Sequence, residues 1–125
     1  MRWTLLLHYP ELTRESAGDE TVDDGMRAFS AYAATLHAAG VLVHAEVLEG
    51  SGRSATVREV DGRLLVQDGP FADTREQLGG TFVLDVPDRE TALHWAARAP
   101  AVAWGAVEVR PGATHTVDGV WQPST

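Results

Sequence analysis

Apolar residues recur along this chain with two different periods. Between residues 22 and 36 they return every three or four positions, as on one face of an α-helix, and residues 92–99 repeat that spacing. Elsewhere apolar residues alternate with polar ones or form short runs between turn residues, which is typical of strands. This pattern predicts strands at 2–9, 41–48, 54–60, 64–67, 81–86 and 105–110.

Local signals predict where these elements begin and end. Thr21 with Asp24 three residues later has the form of a capping box, so the first helix is predicted to begin there and to end at Gly40. Asp88 is the predicted N-cap of the second helix. Asp61–Gly62 predicts a tight hairpin turn between two strands, because glycine at the second position accepts a positive φ.

The order of the elements is strand, helix, strand, hairpin, strand, helix, strand. This βαββαβ order with an extra hairpin predicts an α+β fold, a ferredoxin-like sandwich with both helices on one face of an antiparallel sheet. The sequence holds no third long helix to cover the other face, so we expect a homodimer whose sheets face each other, a dimeric α+β barrel. Residues 1–111 are the predicted domain, and 112–125 are a C-terminal tail, either loose or packed on a partner.

Composition and charge mainly exclude certain partners and certain kinds of site. The chain has 125 residues, a net charge of −8 and ten arginines but no lysine, and this acidic balance argues against nucleic acid as a partner. Cysteine is absent, which excludes disulfides, thiolate metal sites and a cysteine nucleophile. No apolar run is long enough for a membrane span or a signal peptide, so a cytoplasmic protein without a membrane partner is expected. No phosphate or dinucleotide fingerprint occurs, and no cofactor is predicted.

The strand pattern also predicts which side chains lie on the uncovered sheet face. Side chains point alternately to the two faces of a sheet, so each strand can be sorted into two sets. The polar members of the uncovered set are His8, His44, Glu46, Thr81, Asp85, Glu108 and Arg110. The apolar members are Leu6, Leu42, Leu48 and Val83. A half-apolar surface with a few convergent polar groups is typical of a small-molecule pocket and equally of a wet dimer interface.

His44 and Glu46 are two residues apart on one strand and are therefore predicted to point into the same space. A carboxylate beside an imidazole raises the imidazole's pKa and fixes its tautomer, which prepares a general base. With His8 added, two imidazoles and one carboxylate could hold a divalent metal. The alternative is that all three are polar groups of a pocket or an interface, satisfied by hydrogen bonds.

Residues 68–80, with the sequence DGPFADTREQLGG, resemble the signature of the DGPF branch of the YCII-related proteins. The flanking pieces that fit the same family are LLLHY at 5–9, HAAGVLVHAEVL at 37–48, FVLDVPDRETALHWAARAP at 82–100 and VEVRP at 107–111. The resemblance implies a dimeric α+β barrel with a ferredoxin-like core. It also implies two functional directions: an enzyme acting on small aromatic compounds, such as a dehydrochlorinase, or a regulatory link to extracytoplasmic-function sigma factors.

Two parts of this sequence have both a structural and a functional interpretation. Asp68 either caps a turn in which Phe71 fills the core, or lines the pocket as an acid or ligand. The residues after this turn, 72–78, are predicted to form a short helical turn. Arg110 shares a strand face with Glu108, and it either binds an anionic substrate group or forms an ion pair across the dimer.

The leading hypothesis is a homodimeric enzyme or binder for a small organic molecule. The catalytic candidates are His44, Glu46, His8 and Asp68. The substrate-binding candidates are Arg110, Glu108, Asp85 and Thr81. In this hypothesis His44 is the base and Glu46 orients it, and no metal is assigned to the site. The second hypothesis is a non-catalytic regulatory module that binds another protein, such as a sigma factor.

Overall fold

Four strands form the main sheet of this chain, and α-helices cover one of its faces. The computed structural model describes residues 1–125, and none of its helices is both long enough and apolar enough to cross a lipid bilayer. The strands are β1 (Arg2–Pro10), β2 (Leu42–Val47), β3 (Ala55–Val60), β4 (Arg63–Asp68), β5 (Glu76–Asp85), β6 (Ala106–Pro111), β7 (Thr114–Val117) and β8 (Val120–Pro123). The α-helices are α1 (Arg14–Ala17), α2 (Asp19–Ala38) and α3 (Arg89–Ala96), with 3₁₀ turns at Ser51–Arg53 and Pro100–Ala103.

The main sheet is antiparallel throughout and has the strand order β2-β5-β1-β6. This order, with α2 and α3 on one face, is consistent with the predicted ferredoxin-like α+β fold. The core between sheet and helices is built from Trp3, Leu5, Leu7, Tyr32, Leu36, Phe82, Leu84, Ala92 and Ala96, among others. The alternate residues of β1, which point to the other face, are only partly buried. That face is therefore left uncovered by the helices.

A β-bulge in β2 changes which side chains reach the uncovered face. Leu42 pairs with Leu84 on β5. His44 pairs with the very next residue, Val83, so Val43 is an extra residue in β2. The bulge reverses the alternation, and Leu42 packs against the core on the helix side. The prediction that Leu42 lies on the uncovered face is therefore wrong, whereas His44 does lie there.

Residues 72–78 do not form the predicted helical turn. β5 begins at Glu76 and passes through both glycines of the motif. The Thr74 hydroxyl donates a hydrogen bond to the Glu76 carbonyl, and the Gln77 side-chain amide donates one to the Thr74 carbonyl. Such side chain–backbone bonds offer the chain a tight turn in place of a helical one, which explains why the prediction is wrong.

The helix α2 begins earlier than the sequence predicts. Its first residue is Asp19, so Thr21 lies inside the helix and does not cap it. The capping box belongs instead to α1, where the Thr13 and Ser16 side chains each accept a hydrogen bond from the other residue's backbone N–H. The predicted end of the helix is confirmed, because Gly40 follows the C-cap of α2.

Residues 112–125, which are predicted only as a tail, form a second hairpin. β7 and β8 pair around Asp118–Gly119, whose φ values of 50° and 78° match the 51° and 77° of Asp61–Gly62. Both dipeptides thus adopt the positive φ angles of a type I′ turn, which confirms the predicted turn at the first of them. The second hairpin is attached to β1 by a hydrogen bond from the Arg2 amide to the Ser124 carbonyl.

Asp88 caps α3 as the sequence predicts. Its carboxylate accepts hydrogen bonds from the Thr91 hydroxyl at 2.7 Å and from the Thr91 backbone N–H at 2.8 Å. These two bonds lower the pKa of the Asp88 carboxyl below its usual value. Because the folded state has the lower pKa, the stabilisation is complete above the ordinary aspartate pKa of about 4, and it is lost as the pH falls through the folded pKa.

We expect Asp88→Ala to lower the Tm at neutral pH, because the Thr91 N–H in the first turn of α3 loses its acceptor. The Tm difference from the native chain should shrink as the pH falls through the lowered pKa of Asp88, because the native carboxyl then becomes protonated as well. Melting curves followed by circular dichroism at a series of pH values measure this difference. A difference that does not change with pH would contradict a charged cap.

Candidate functional site

The seven polar residues assigned to the uncovered sheet face all lie on that face. Directly paired residues of antiparallel strands point to the same side of a sheet, so the strand registers connect them. One row across the sheet is His44, Val83, Thr4 and Arg110. The next row is Glu46, Thr81, Leu6 and Glu108. His8 follows Leu6 by two residues in β1, and Asp85 follows Val83 by two residues in β5, so both share this face.

His44 and Glu46 form a close pair at the edge of the sheet. His44 Nε2 and Glu46 Oε2 are 3.7 Å apart, and the two side chains are 64% and 62% exposed. Their exposure follows from their position, because β2 is an edge strand. A carboxylate at this distance can orient an imidazole, although water weakens the attraction between exposed groups.

Glu108 connects two other candidates. Its Oε1 atom is 3.7 Å from Nε2 of His8, and its Oε2 atom is ion-paired with the Arg110 guanidinium. Glu108 and Arg110 are two residues apart on β6, so both side chains stand on the same face. The sequence analysis considered an ion pair of Arg110 across the dimer. Within a single chain, Glu108 on the same strand already balances the Arg110 charge.

Asp85 is paired with the amino terminus of its own chain. The Met1 ammonium nitrogen lies 2.8 Å from the Asp85 carboxylate. This hydrogen bond, helped by the positive charges of the amino terminus and Arg2, lowers the pKa of the Asp85 carboxyl. The pairing gives Asp85 a structural partner at the start of β1.

A groove of about 720 Å³ opens where the uncovered face meets the base of hairpin β3–β4. Its walls come mainly from residues 46–56 and 70–78, and His8 reaches it from β1. The groove is open to solvent and not an enclosed cavity, so water reaches the side chains that line it. Among the candidates, His8 and Glu46 line the groove. The candidates outside its lining are His44, Asp68, Thr81, Asp85, Glu108 and Arg110.

A bulge in β5 aligns His8 with the groove. Leu7 pairs with Gly80, but His8 pairs with Leu78, so Gly79 is an extra residue in β5. His8 and Leu78 therefore share the uncovered face, and both line the groove. The double glycine of the motif thus lies at the point where β5 adjusts its register beside the candidate imidazole.

Asp68 acts as a turn residue. It is the last residue of β4, it is exposed, and it does not line the groove. The turn after it is closed by hydrogen bonds from the Gly69 N–H to the Ser54 carbonyl and from the Thr56 hydroxyl to the Gly69 carbonyl. The geometry of this chain therefore fits the structural interpretation of Asp68 better than a role as acid or ligand.

Phe71 lines the groove and does not fill the core. Its side chain is 78% exposed, so the prediction that it packs inside is wrong. The Arg58 guanidinium lies 5.6 Å from the centre of its ring, which is within the range of a cation–π contact. The aromatic ring of the DGPF segment is thus available at the groove wall.

The structure contains no group of three or more His, Cys, Asp or Glu side chains that could hold a metal ion. His8 is paired with Glu108 and His44 with Glu46, so the two imidazoles belong to separate pairs. The alternative in which His8, His44 and Glu46 together bind a divalent metal is therefore not supported within one chain.

Several polar residues of the groove, among them Ser51 and Arg53, lie on loops and are not among the predicted site residues. The Glu11 carboxylate accepts hydrogen bonds from the Ser51 N–H at 2.7 Å and from the Ser51 hydroxyl at 2.9 Å. These bonds tie the loop after β2 to the end of β1. Arg53, also in the lining, lies 3.6 Å from Glu49. The glycines at 50 and 52 indicate a turn here, but no residue spacing predicts which loop side chains face a groove.

The sheet, its covering helices and the groove at one end of the uncovered face define a small α+β domain of the ferredoxin-like class. A comparison with protein families is more specific: the model of the YCII-related domain matches residues 1–112, and the chain belongs to the YCII-related family. One relative, uncharacterized protein R00369 of Rhizobium meliloti (strain 1021), is 32% identical over 117 residues, which cover 92% of this chain and 94% of that protein. The predicted family is confirmed, and the DGPF branch stays a prediction.

Proposed function

We propose that this chain binds a small organic molecule in the groove, as an enzyme or as a binding protein. The observation that carries the proposal is that His8 and Glu46, two titratable side chains from different strands, line the same groove. Leu48, Phe71 and Leu78 supply apolar walls around them. Apolar walls with a few well-placed polar groups are typical of small-molecule sites.

The chemistry we propose for this site is general acid–base catalysis. Imidazole titrates near neutral pH, and a carboxylate can accept or return a proton. The two titratable residues of the groove each have a partner at 3.7 Å. The His8 imidazole has the Glu108 carboxylate, and the Glu46 carboxylate has the His44 imidazole. In this arrangement Glu46 contacts the ligand, and His44 orients the Glu46 carboxylate. The pair is the one predicted, but Glu46 takes the role of the base that was assigned to His44.

The test compares His8→Ala and Glu46→Gln with the native chain. Small aromatic compounds, the class that the family resemblance implies, are screened by thermal shift, and binding is then measured by calorimetry. We expect at least one compound to bind, with a Kd that rises about tenfold or more in both variants. His94→Ala serves as the control, because His94 is exposed on α3 and does not line the groove. A panel without a binder, or a compound that both variants bind as tightly as the native chain, would contradict the proposal.

We also propose that the chain is a homodimer in which the uncovered sheet faces meet. The chain exposes 8494 Å² of surface, whereas a folded monomer of 13.5 kDa is expected to expose about 6,500 Å². The excess is about 2,000 Å² per chain. Stable homodimer interfaces bury about 2,000–5,000 Å² from both subunits together, so the excess is large enough to form one.

The second candidate function is a non-catalytic module that binds another protein, which the family resemblance links to extracytoplasmic-function sigma factors. The observation in its favour is the number of exposed apolar side chains on the two hairpins, such as Leu64 and Trp121. A purified chain that stays monomeric at every concentration and binds no compound of the panel would favour this candidate over the first.

A further inference from the structure

Hairpin β3–β4 carries an apolar face that its own chain does not cover. The register pairs Val57 with Val66 and Glu59 with Leu64. Val57, Leu64 and Val66 therefore stand on the same side of the ribbon, and we call these three residues the apolar face of the arm. Their exposed fractions are 61%, 70% and 63%.

The arm has little support from the rest of the chain. Among residues 55–68 only Thr56 is even partly buried. A two-stranded ribbon that packs on nothing is at best marginally stable in water. Contiguous exposed apolar surface on a soluble protein marks a contact site in most cases. Both considerations indicate that another surface covers the arm.

We infer that this surface is a second copy of the chain, so that hairpin β3–β4 is an arm of the dimer interface. The inference rests on the homodimer proposed above and adds the segment that holds it together. The excess of about 2,000 Å² of exposed surface per chain meets the need of a stable dimer without a further partner. The base of the arm, Ala55 and Thr56, also lines the groove, so the contact lies beside the proposed ligand site.

The first experiment measures dimer dissociation by sedimentation velocity over a range of concentrations. We expect Val57→Glu and Val66→Glu each to raise the dissociation constant of the dimer about 30-fold or more, as for residues at the centre of an interface. Met26→Glu is the matched control, because Met26 is 61% exposed, as Val57 is, but lies on α2. It should leave the dissociation constant within about threefold of the native value. Circular dichroism confirms that the variants fold.

Hydrogen exchange on the native chain separates the arm from the rest of the dimer. We expect the amides of residues 55–68 to exchange more slowly at concentrations where the dimer predominates. A chain that is monomeric at all concentrations overturns both this inference and the proposed homodimer, and leaves a different protein as the occupant of the arm. A dimer that survives both arm substitutions, with exchange in the arm independent of concentration, overturns the arm alone.

Discussion

Phe82→Ala is expected to lower the free energy of unfolding by about 3–5 kcal/mol. Phe82 is 2% exposed at the centre of the core, and its ring centre lies 5.1 Å from that of Tyr32 and 6.3 Å from that of Phe29. Its removal takes away buried apolar surface and leaves a cavity between β5 and α2. Domains of this kind are stable by about 5–15 kcal/mol, so the loss is a large fraction of the total.

Phe71→Ala is the matched control, because the same atoms are removed from a side chain that is 78% exposed. We expect it to change the free energy of unfolding by less than about 1 kcal/mol, the scale of its cation–π contact with Arg58. Urea unfolding at one fixed protein concentration measures both variants, since the stability of a dimer depends on concentration. If Phe71→Ala lowered the free energy of unfolding as much as Phe82→Ala, Phe71 would have to be buried in the core and could not line the groove.

The core of the sheet could be predicted from the sequence, because the alternation of apolar and polar residues along a strand shows which side chains are buried. In β5 the apolar residues Phe82 and Leu84 point to the helices, and Thr81 and Val83 point to the uncovered face, as predicted. The helix cap at Asp88 was equally predictable, because a cap depends only on residues next to it in the chain.

The bulge in β2 could not be located by the same reasoning. Leu42 and Val43 are both apolar, so the hydrophobic pattern does not show which of them is the extra residue. The turn at Asp118–Gly119 had the same chemistry as that at Asp61–Gly62. It was missed because the flanking residues, 114–117 and 120–123, do not show a sustained apolar alternation.

The candidate site was predictable only as a sheet face. The strand pattern places His44 and Glu46 together, but it does not distinguish Glu46, which lines the groove, from His44, which does not. That distinction depends on the segment 70–78 and the base of hairpin β3–β4, which form the groove walls. Their positions follow from contacts between distant parts of the chain, which residue spacing does not encode.

Gly105→Ala is expected to lower the free energy of unfolding by about 3 kcal/mol, although it adds only a methyl group. A Cβ atom at this position would lie 2.0 Å from the His8 carbonyl oxygen and 2.9 Å from the Tyr9 Cα atom. Both are backbone atoms of β1, so no side-chain rotation can relieve the overlap. The strand has to move at the residue that carries the imidazole of the groove, and ligand binding should weaken together with stability.

Gly52→Ala provides the control, because a Cβ atom there meets open space and the residue does not adopt a positive φ. We expect it to leave the free energy of unfolding within about 0.5 kcal/mol of the native value, or to raise it slightly by restricting the unfolded chain. Denaturant unfolding of both variants at equal concentration makes the comparison. If Gly105→Ala proved as stable as Gly52→Ala, the backbone before β6 would have to move at little cost. The close approach of Gly105 to β1 would then not be what holds His8 in place.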